Sequence, residues 1–105
     1  MITDARAEAA CEFIRDHAQQ MGELSGKVKT AEHMIKVMRA VAFSEAEGTV
    51  AEREAIGYKT PEVRGIIEQY RNDVAELETL RTRIKAAEMT FEVWRTQQAN
   101  MRKGA

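Results

Sequence analysis

Two rows of apolar residues, each with a spacing of three or four positions, dominate the pattern of this chain. The first row runs from Ala7 to Glu45 and the second from Val63 to Met101, and each is apolar at ten of its twelve positions. Such spacing places side chains on one face of an α-helix, so each row, here called an apolar seam, predicts one long amphipathic helix. We predict these helices over residues of about 4–47 and 61–102.

The segment between the two seams carries helix start and stop signals. Gly48 is expected to end the first helix. Thr49 and Glu52 have the spacing of a capping box, which predicts a short helix over residues of about 50–56. Gly57 is expected to stop that helix. The connection is therefore a short helical elbow and not an irregular loop.

A short elbow brings the two long helices side by side in opposite directions. We predict an all-α fold with a single domain over residues 1–105, an antiparallel hairpin of two long helices joined by the elbow. If the pairing is symmetric about the elbow, Met38 lies near Tyr70 and Ile14 lies near Trp94. In that register Trp94 is a core anchor at the open end of the hairpin.

The apolar stripe widens toward the elbow beyond what two facing helices can cover. The residues beside the seams in this region are Met34, Val37, Val41, Phe43, Ile67 and Val74. Because a wide apolar stripe is normally buried, we expect the elbow helix and a second subunit to cover it together. These six positions are the candidate interface of a homo-oligomer larger than a dimer.

Composition restricts the class of protein without giving a function. The chain has 105 residues, of which 31 % are charged, a formal net charge of −1 and one cysteine, Cys11. A single cysteine forms no internal disulfide, which fits a reducing compartment, and no apolar run reaches the length of a membrane span. We expect a cytoplasmic protein without membrane association.

Residues that support catalysis or metal binding form no recognisable motif. The chain has no glycine-rich phosphate loop and no cysteine cluster, and His17 and His33 are too far apart to share a metal. His17 falls on the first seam, where a packed and hydrogen-bonded histidine is the simpler interpretation. Asp73 interrupts the second seam, where it is expected to set the register or meet another subunit. We expect no enzyme activity, no metal and no cofactor.

Basic residues are concentrated in two stretches of the chain. Residues 24–43 contain four of them against one acid, and residues 79–87 contain three and no acid. In the symmetric register these stretches lie side by side as a basic band made of Lys27, Lys29, Lys36, Arg39, Arg81, Arg83 and Lys85. Such a band suits the phosphates of a nucleic acid, whereas a solvated face with salt bridges between subunits is the simpler alternative.

Three short motifs resemble a known family. They are Lys36-Val-Met-Arg39, the elbow Gly48-Thr-Val-Ala-Glu-Arg-Glu-Ala55, and Phe91-Glu-Val-Trp-Arg95 with Ala99 and Arg102. Across residues 27–103 the outline resembles small all-helical proteins of tailed-phage recombination regions, the UvsY-like recombination mediators. The resemblance implies a homo-oligomer that binds single-stranded DNA and helps to load a recombinase onto strands coated by single-strand-binding protein. It also implies a DNA-contacting basic pair late in the long helix. Lys36 and Arg39 match that pair best, although the family pair stands closer together in the sequence.

Two hypotheses of different classes follow from these observations. The first is a non-enzymatic mediator that binds single-stranded DNA, with a recombinase or annealing protein and single-strand-binding protein as further partners. The second is a structural adaptor, a helical hairpin that binds only protein. Binding of a labelled single-stranded oligonucleotide, and its loss at high salt, separates the two.

Overall fold

The computed structural model of this protein describes residues 1–104. Three helices follow one another, α1 over Asp4–Glu45, α2 over Val50–Lys59 and α3 over Pro61–Gly104. The described residues contain no β-strand, so the all-α prediction is confirmed. The predicted ends of both long helices are correct to within two residues.

α2 is longer than predicted, because Gly57 does not stop it. The helix begins at the predicted capping box: the Thr49 hydroxyl accepts from the Glu52 backbone N–H, and the Thr49 N–H donates to Glu52 Oε2, each at 3.2 Å. Gly57 is buried, and the place that a Cβ would occupy lies 3.6 Å from the Arg39 backbone. At this distance a methyl group would make ordinary van der Waals contact, whereas a larger side chain would meet Arg39. A small residue therefore suits the contact between α2 and α1, and the helix continues to Lys59.

The connections on either side of α2 are short. Gly48 has a φ of 112°, a left-handed conformation that favours glycine, in the turn between α1 and α2. Thr60 alone separates α2 from α3. Its backbone N–H donates to the carbonyl oxygen of Ile56 at 3.1 Å, and its own carbonyl oxygen accepts from the Arg64 N–H at 3.0 Å. The turn between α1 and α2 therefore contains Gly48, and α3 begins directly after Thr60.

A side chain of α2 stabilises the C-terminal end of α1. The last turn of α1 contains no basic residue. Arg53 supplies one from α2: its Nε donates to the carbonyl oxygen of Phe43 at 3.1 Å, and its guanidinium lies 4.2 Å from the centroid of the Phe43 ring. A cation at this end of a helix balances the negative end of the helix dipole.

The chain forms two compact units. Unit 1 contains Met1–Gly22 and the described residues from Leu77 onward, and unit 2 contains Glu23–Glu76. The buried apolar side chains are Ala7, Ala10, Leu77, Leu80 and Ile84 in unit 1, and Leu24, Val28 and Val63 in unit 2. All of them lie on the two predicted seams, so the apolar pattern identified the core positions correctly.

Contacts inside each unit differ from the predicted register by up to several helical turns. In unit 1, Trp94 Nε1 donates to Asp4 Oδ1 at 2.8 Å, far from the expected neighbour Ile14. In unit 2, the Tyr70 hydroxyl donates to Glu32 Oε1 at 3.0 Å, and Glu32 precedes the expected neighbour by six residues. The predicted register assumed a reversal centred on the elbow. Both bonded partners of α3 lie earlier in α1 than that register predicts.

His17 and Trp94 differ in how well the sequence predicted them. His17 is half-buried, its Nδ1 donates to the Phe13 carbonyl oxygen at 2.8 Å, and the two rings stack at 4.0 Å. It is thus a packed, hydrogen-bonded residue, as predicted. Trp94 is also only half-buried, with its ring 5.7 Å from that of Phe91. It lies at the edge of the core and is not a buried anchor.

Candidate nucleic-acid and protein interfaces

One recess of unit 2, with a volume of about 320 Å³, carries the predicted DNA-contacting pair. This basic recess is lined by Lys36, Arg39, Ala40, Phe43 and Glu54. Lys36 is exposed, whereas Arg39 is half-buried because its guanidinium stacks on the ring of Tyr58, 4.0 Å from the centroid. The structure therefore brings Lys36 and Arg39 to the same recess, to which α2 contributes the carboxylate of Glu54. The Tyr58 ring of α2 lies against Arg39 and is not part of the recess lining.

Tyr58 is a candidate site residue that sequence reasoning missed. The predicted stop at Gly57 leaves Tyr58 outside the short helix, whereas α2 continues to Lys59 and presents the Tyr58 ring to Arg39. The ring remains largely exposed. An exposed aromatic ring beside cations is the combination on which bases of single-stranded nucleic acids stack. The sequence carried no signal for this arrangement, because a glycine near the end of a helical pattern is read as a helix stop.

The other predicted basic residues of unit 2 divide between two faces of α1. Lys29 precedes Lys36 by seven residues, about two helical turns, so both exposed side chains share a face. Lys27 lies on another face, where it lines a groove together with Asp73. Lys29 therefore extends the surface around the basic recess, and Lys27 does not.

The three basic residues of the stretch 79–87 belong to unit 1. Arg81 Nη1 forms an ion pair with Glu78 Oε1 at 2.8 Å, and the Arg83 guanidinium lies 4.9 Å from the centroid of the Phe13 ring. Lys85 is exposed. Because Arg83 lies against Phe13, this stretch pairs with the beginning of α1. The predicted band, in which it lies beside residues 24–43, is therefore wrong.

A second concave surface of unit 2, about 380 Å³ in volume, is mainly apolar. This apolar groove is lined by Met38, Val41, Ala42, Glu45, Ala46, Ile56, Thr60, Glu62 and Val63. All three helices contribute to it, yet Val41 remains 48 % exposed and Ile56 is also exposed. The elbow helix thus borders the wide apolar stripe and leaves part of it open.

The six predicted interface residues differ in how accessible they are. Three on α1 are exposed, namely Met34, Val37 and Val41. The other three are half-buried, namely Phe43, Ile67 and Val74. Phe43 is occupied by its contact with Arg53 of the same chain. Among the six predicted residues, the accessible apolar surface is therefore formed by the three exposed residues of α1.

A third concave surface of unit 2, about 470 Å³ in volume, contains a buried carboxylate. This polar groove is lined by Lys27, Thr30, Ala31, Met34, Ile66, Gln69 and Asp73. Asp73 is only 8 % exposed, and Gln69 Nε2 donates to its Oδ1 at 3.0 Å. A buried carboxylate needs such a donor, so the bond with Gln69 explains how the second seam tolerates a charged residue.

Side chains with metal-binding or redox chemistry do not form a site among the described residues. These residues contain no group of three or more His, Cys, Asp and Glu side chains that could hold a metal, and Cys11 is exposed with a free thiol. None of the described helices combines the length and hydropathy needed to cross a membrane.

The hydrogen bond to Glu32 raises the pKa of Tyr70 above its usual value of 10, and desolvation and the charge of Glu32 act in the same direction.

Comparisons of this chain with protein-family models, with curated proteins and with solved structures found no match. The geometry of unit 2 and the short motifs of the sequence are therefore the basis for assigning a function.

Proposed function

We propose that this protein is a non-enzymatic, self-associating recombination mediator that binds single-stranded DNA. The observation that supports this function is the basic recess, which is lined by Lys36 and Arg39, with the exposed ring of Tyr58 against the Arg39 guanidinium. Cations neutralise phosphates, and an exposed ring accepts a stacked base, so the recess and the ring together offer both contacts that a single strand needs. The resemblance to UvsY-like mediators selects the same basic pair.

The proposal includes an antiparallel hairpin of α1 and α3 and a homo-oligomer larger than a dimer. In unit 1, the residues bonded to α3 move toward the chain start as α3 proceeds: Asp4 bonds to Trp94, and Ile2 bonds to Gln97. That order supports an antiparallel arrangement. The exposed apolar residues of α1 supply a surface for self-association. Each added subunit repeats the basic recess, and affinity for a long single strand then rises through multivalency.

In this role the protein acts in the cytoplasm and holds a single strand while a recombinase or annealing protein replaces single-strand-binding protein. Lys29 extends the DNA-contacting surface along α1. The remaining predicted contacts are secondary, because they lie on another face of α1 or in unit 1, and these are Lys27, Arg81, Arg83 and Lys85.

The double substitution Lys36→Ala, Arg39→Ala tests this proposal. Binding of a labelled single-stranded oligonucleotide should be lost at moderate salt. The slope of log affinity against log salt should fall by about 1.4, since each phosphate contact to a single strand contributes about 0.7. Helix content should remain, because alanine favours helix. The double substitution Arg64→Ala, Arg71→Ala is the matched control: it removes the same charge from exposed positions of unit 2 and should leave binding unchanged.

Two outcomes would contradict different parts of the proposal. If the Lys36→Ala, Arg39→Ala protein binds the oligonucleotide with the affinity and salt slope of the parent, the basic recess is not the DNA site. If the parent protein does not bind single-stranded DNA at any salt concentration, the mediator function is wrong.

A structural adaptor that binds only protein is the second candidate function. The apolar groove supports it, because an open apolar surface bordered by polar residues is typical of a protein-binding site. A parent protein that self-associates but never binds the oligonucleotide supports the adaptor over the mediator.

A further inference from the structure

One face of α1 in unit 2 carries a strip of residues with a self-complementary order. The strip lines the polar groove at one end and the apolar groove at the other, and its members are Lys27, Ala31, Met34, Met38, Val41 and Glu45. With about 100° of rotation per residue, these positions fall within roughly 80° of one another around the helix. The strip begins with a cation, ends with a carboxylate and is apolar between them.

The order of the strip is complementary to its own reverse. Its midpoint is position 36, and Lys27 and Glu45 are equally distant from it. When two copies of the strip are laid antiparallel, Lys27 of each copy therefore meets Glu45 of the other. The apolar members pair in the same way, one methionine opposite the other and a small residue opposite a valine. A parallel arrangement would instead place each charge opposite its like.

We propose that a second copy of this chain docks on the strip, with α1 antiparallel to α1, as a twofold-symmetric pair. The proposal rests on the self-association included in the proposed function, and it names the surface and the geometry of one contact. Such an interface is isologous, since the same residues serve on both sides.

Charge complementarity is the observation that favours a second copy over another partner. Glu45 and Glu62 line the apolar groove, and no cation lines it. Within the described residues, Lys27, Glu45 and Glu62 take part in no ion pair of their own chain. An antiparallel copy brings its Lys27 to this acidic end. Lys27 of each chain can then form an ion pair with Glu45 of the other chain, whereas neither residue has an ion-pair partner among the described residues of its own chain.

The dimensions of the strip indicate a weak pair that leaves the proposed DNA site open. The strip spans about 27 Å at ~1.5 Å per residue, which places the contact among the small interfaces that are typical of weak or transient pairs. Lys36 and Arg39 lie roughly 120–180° around α1 from the centre of the strip. A second copy on the strip therefore does not cover the basic recess.

Charge reversal tests the pairing, measured by sedimentation equilibrium over a concentration series without DNA. Lys27→Glu and Glu45→Lys should each raise the Kd of the dimer about tenfold or more, because two symmetric contacts become repulsive. An equimolar mixture of the two single variants should regain the parental Kd, and so should the double variant Lys27→Glu, Glu45→Lys. Both rescues require position 27 of one chain to face position 45 of the other.

The apolar part of the strip has a matched control in unit 1. Val41→Glu places a carboxylate within the docked surface and should abolish the dimer. Val93→Glu should leave the dimer unchanged, although Val93 is 47 % exposed and Val41 is 48 % exposed. Circular dichroism is expected to show that both variants retain the helix content of the parent. Equal effects of the two substitutions would place the contact elsewhere.

Three results would overturn the proposed pairing. They are a parent that stays monomeric up to about 1 mM, single charge-reversal variants that dimerise like the parent, and a failure of both rescues. None of these measurements involves DNA. Loss of oligonucleotide binding in the Lys36→Ala, Arg39→Ala variant tests the proposed function alone and leaves the evidence for the pair unchanged.

Discussion

Replacement of Gly57 by alanine should stabilise the protein, although the residue is buried. α2 packs against α1 at this position, and an added Cβ would lie 3.6 Å from the Cα, Cγ and carbonyl oxygen of Arg39. Contacts at that distance are ordinary van der Waals contacts, so the methyl group fits without movement of α1. Glycine within a helix costs about 1 kcal/mol relative to alanine. We therefore expect Gly57→Ala to raise the free energy of unfolding by about 0.5–1 kcal/mol.

A larger side chain at the same position should have the opposite effect. Gly57→Leu gains the same helix propensity, but its outer atoms extend toward Arg39 and separate α2 from α1, at a net cost of about 1–3 kcal/mol. Gly65 is the matched control, because nothing lies within 4 Å of the Cβ that would be added there. Both Gly65→Ala and Gly65→Leu should stabilise the protein by about 0.5–1 kcal/mol.

Thermal unfolding followed by circular dichroism measures all four variants against the parent. For a chain of this size, 1 kcal/mol corresponds to a shift in Tm of roughly 4–8 °C, which is easily resolved. If Gly57→Ala destabilises while Gly65→Ala stabilises, the α2–α1 contact is closer than described. If leucine is tolerated equally at both positions, α2 does not pack against Arg39 in solution.

Three further substitutions test single contacts. Thr49→Ala removes the N-cap of α2 and should lower the free energy of unfolding by about 1 kcal/mol, which Thr49→Ser should restore in thermal melts. Trp94→Phe removes the hydrogen bond to Asp4 and should cost about 0.5–1 kcal/mol in urea unfolding; an equal cost in an Asp4→Ala background would show that the bond contributes nothing. In a pH titration of tyrosinate absorbance, the difference between the parent and Tyr70→Phe reports the ionisation of Tyr70. Its midpoint should lie above pH 10, because the bond to Glu32 raises the pKa of Tyr70. Since the bond needs the protonated phenol, its stabilisation is present at neutral pH and is lost as the pH rises through that raised pKa. A midpoint at or below 10 would contradict the bond.

The helices and their buried positions could be predicted from the sequence because they depend on local geometry. A row of apolar residues at helical spacing fixes which side of a helix is buried, whatever its partner, and Val63 and Leu77 are examples. The register could not be predicted in this way. It depends on where the chain reverses, and that depends on the packing of Gly57 against Arg39, two residues far apart in the sequence.

The candidate site was predictable only to the same extent. Lys36 and Arg39 stand three residues apart on one helix, so their proximity follows from local geometry. Tyr58 joins them through the contact between α2 and α1, which the sequence pattern did not indicate. The basic band failed for the same reason, since it required the correct register to place Arg83.

The hydrogen bond from Arg53 to Phe43 has a consequence for the order in which the chain folds. The last turn of α1 contains no basic residue and receives the Arg53 guanidinium from α2, so it reaches full stability only after α2 has formed. The two residues are ten positions apart, and loops of that length close within about 10–100 ns. The bond from Ile2 to Gln97 instead joins residues 95 positions apart and must close a far longer loop. We expect the turn at Gly48 to act as the nucleus, with amide protection there appearing first in pulse-labelled hydrogen exchange and protection at the chain ends appearing last.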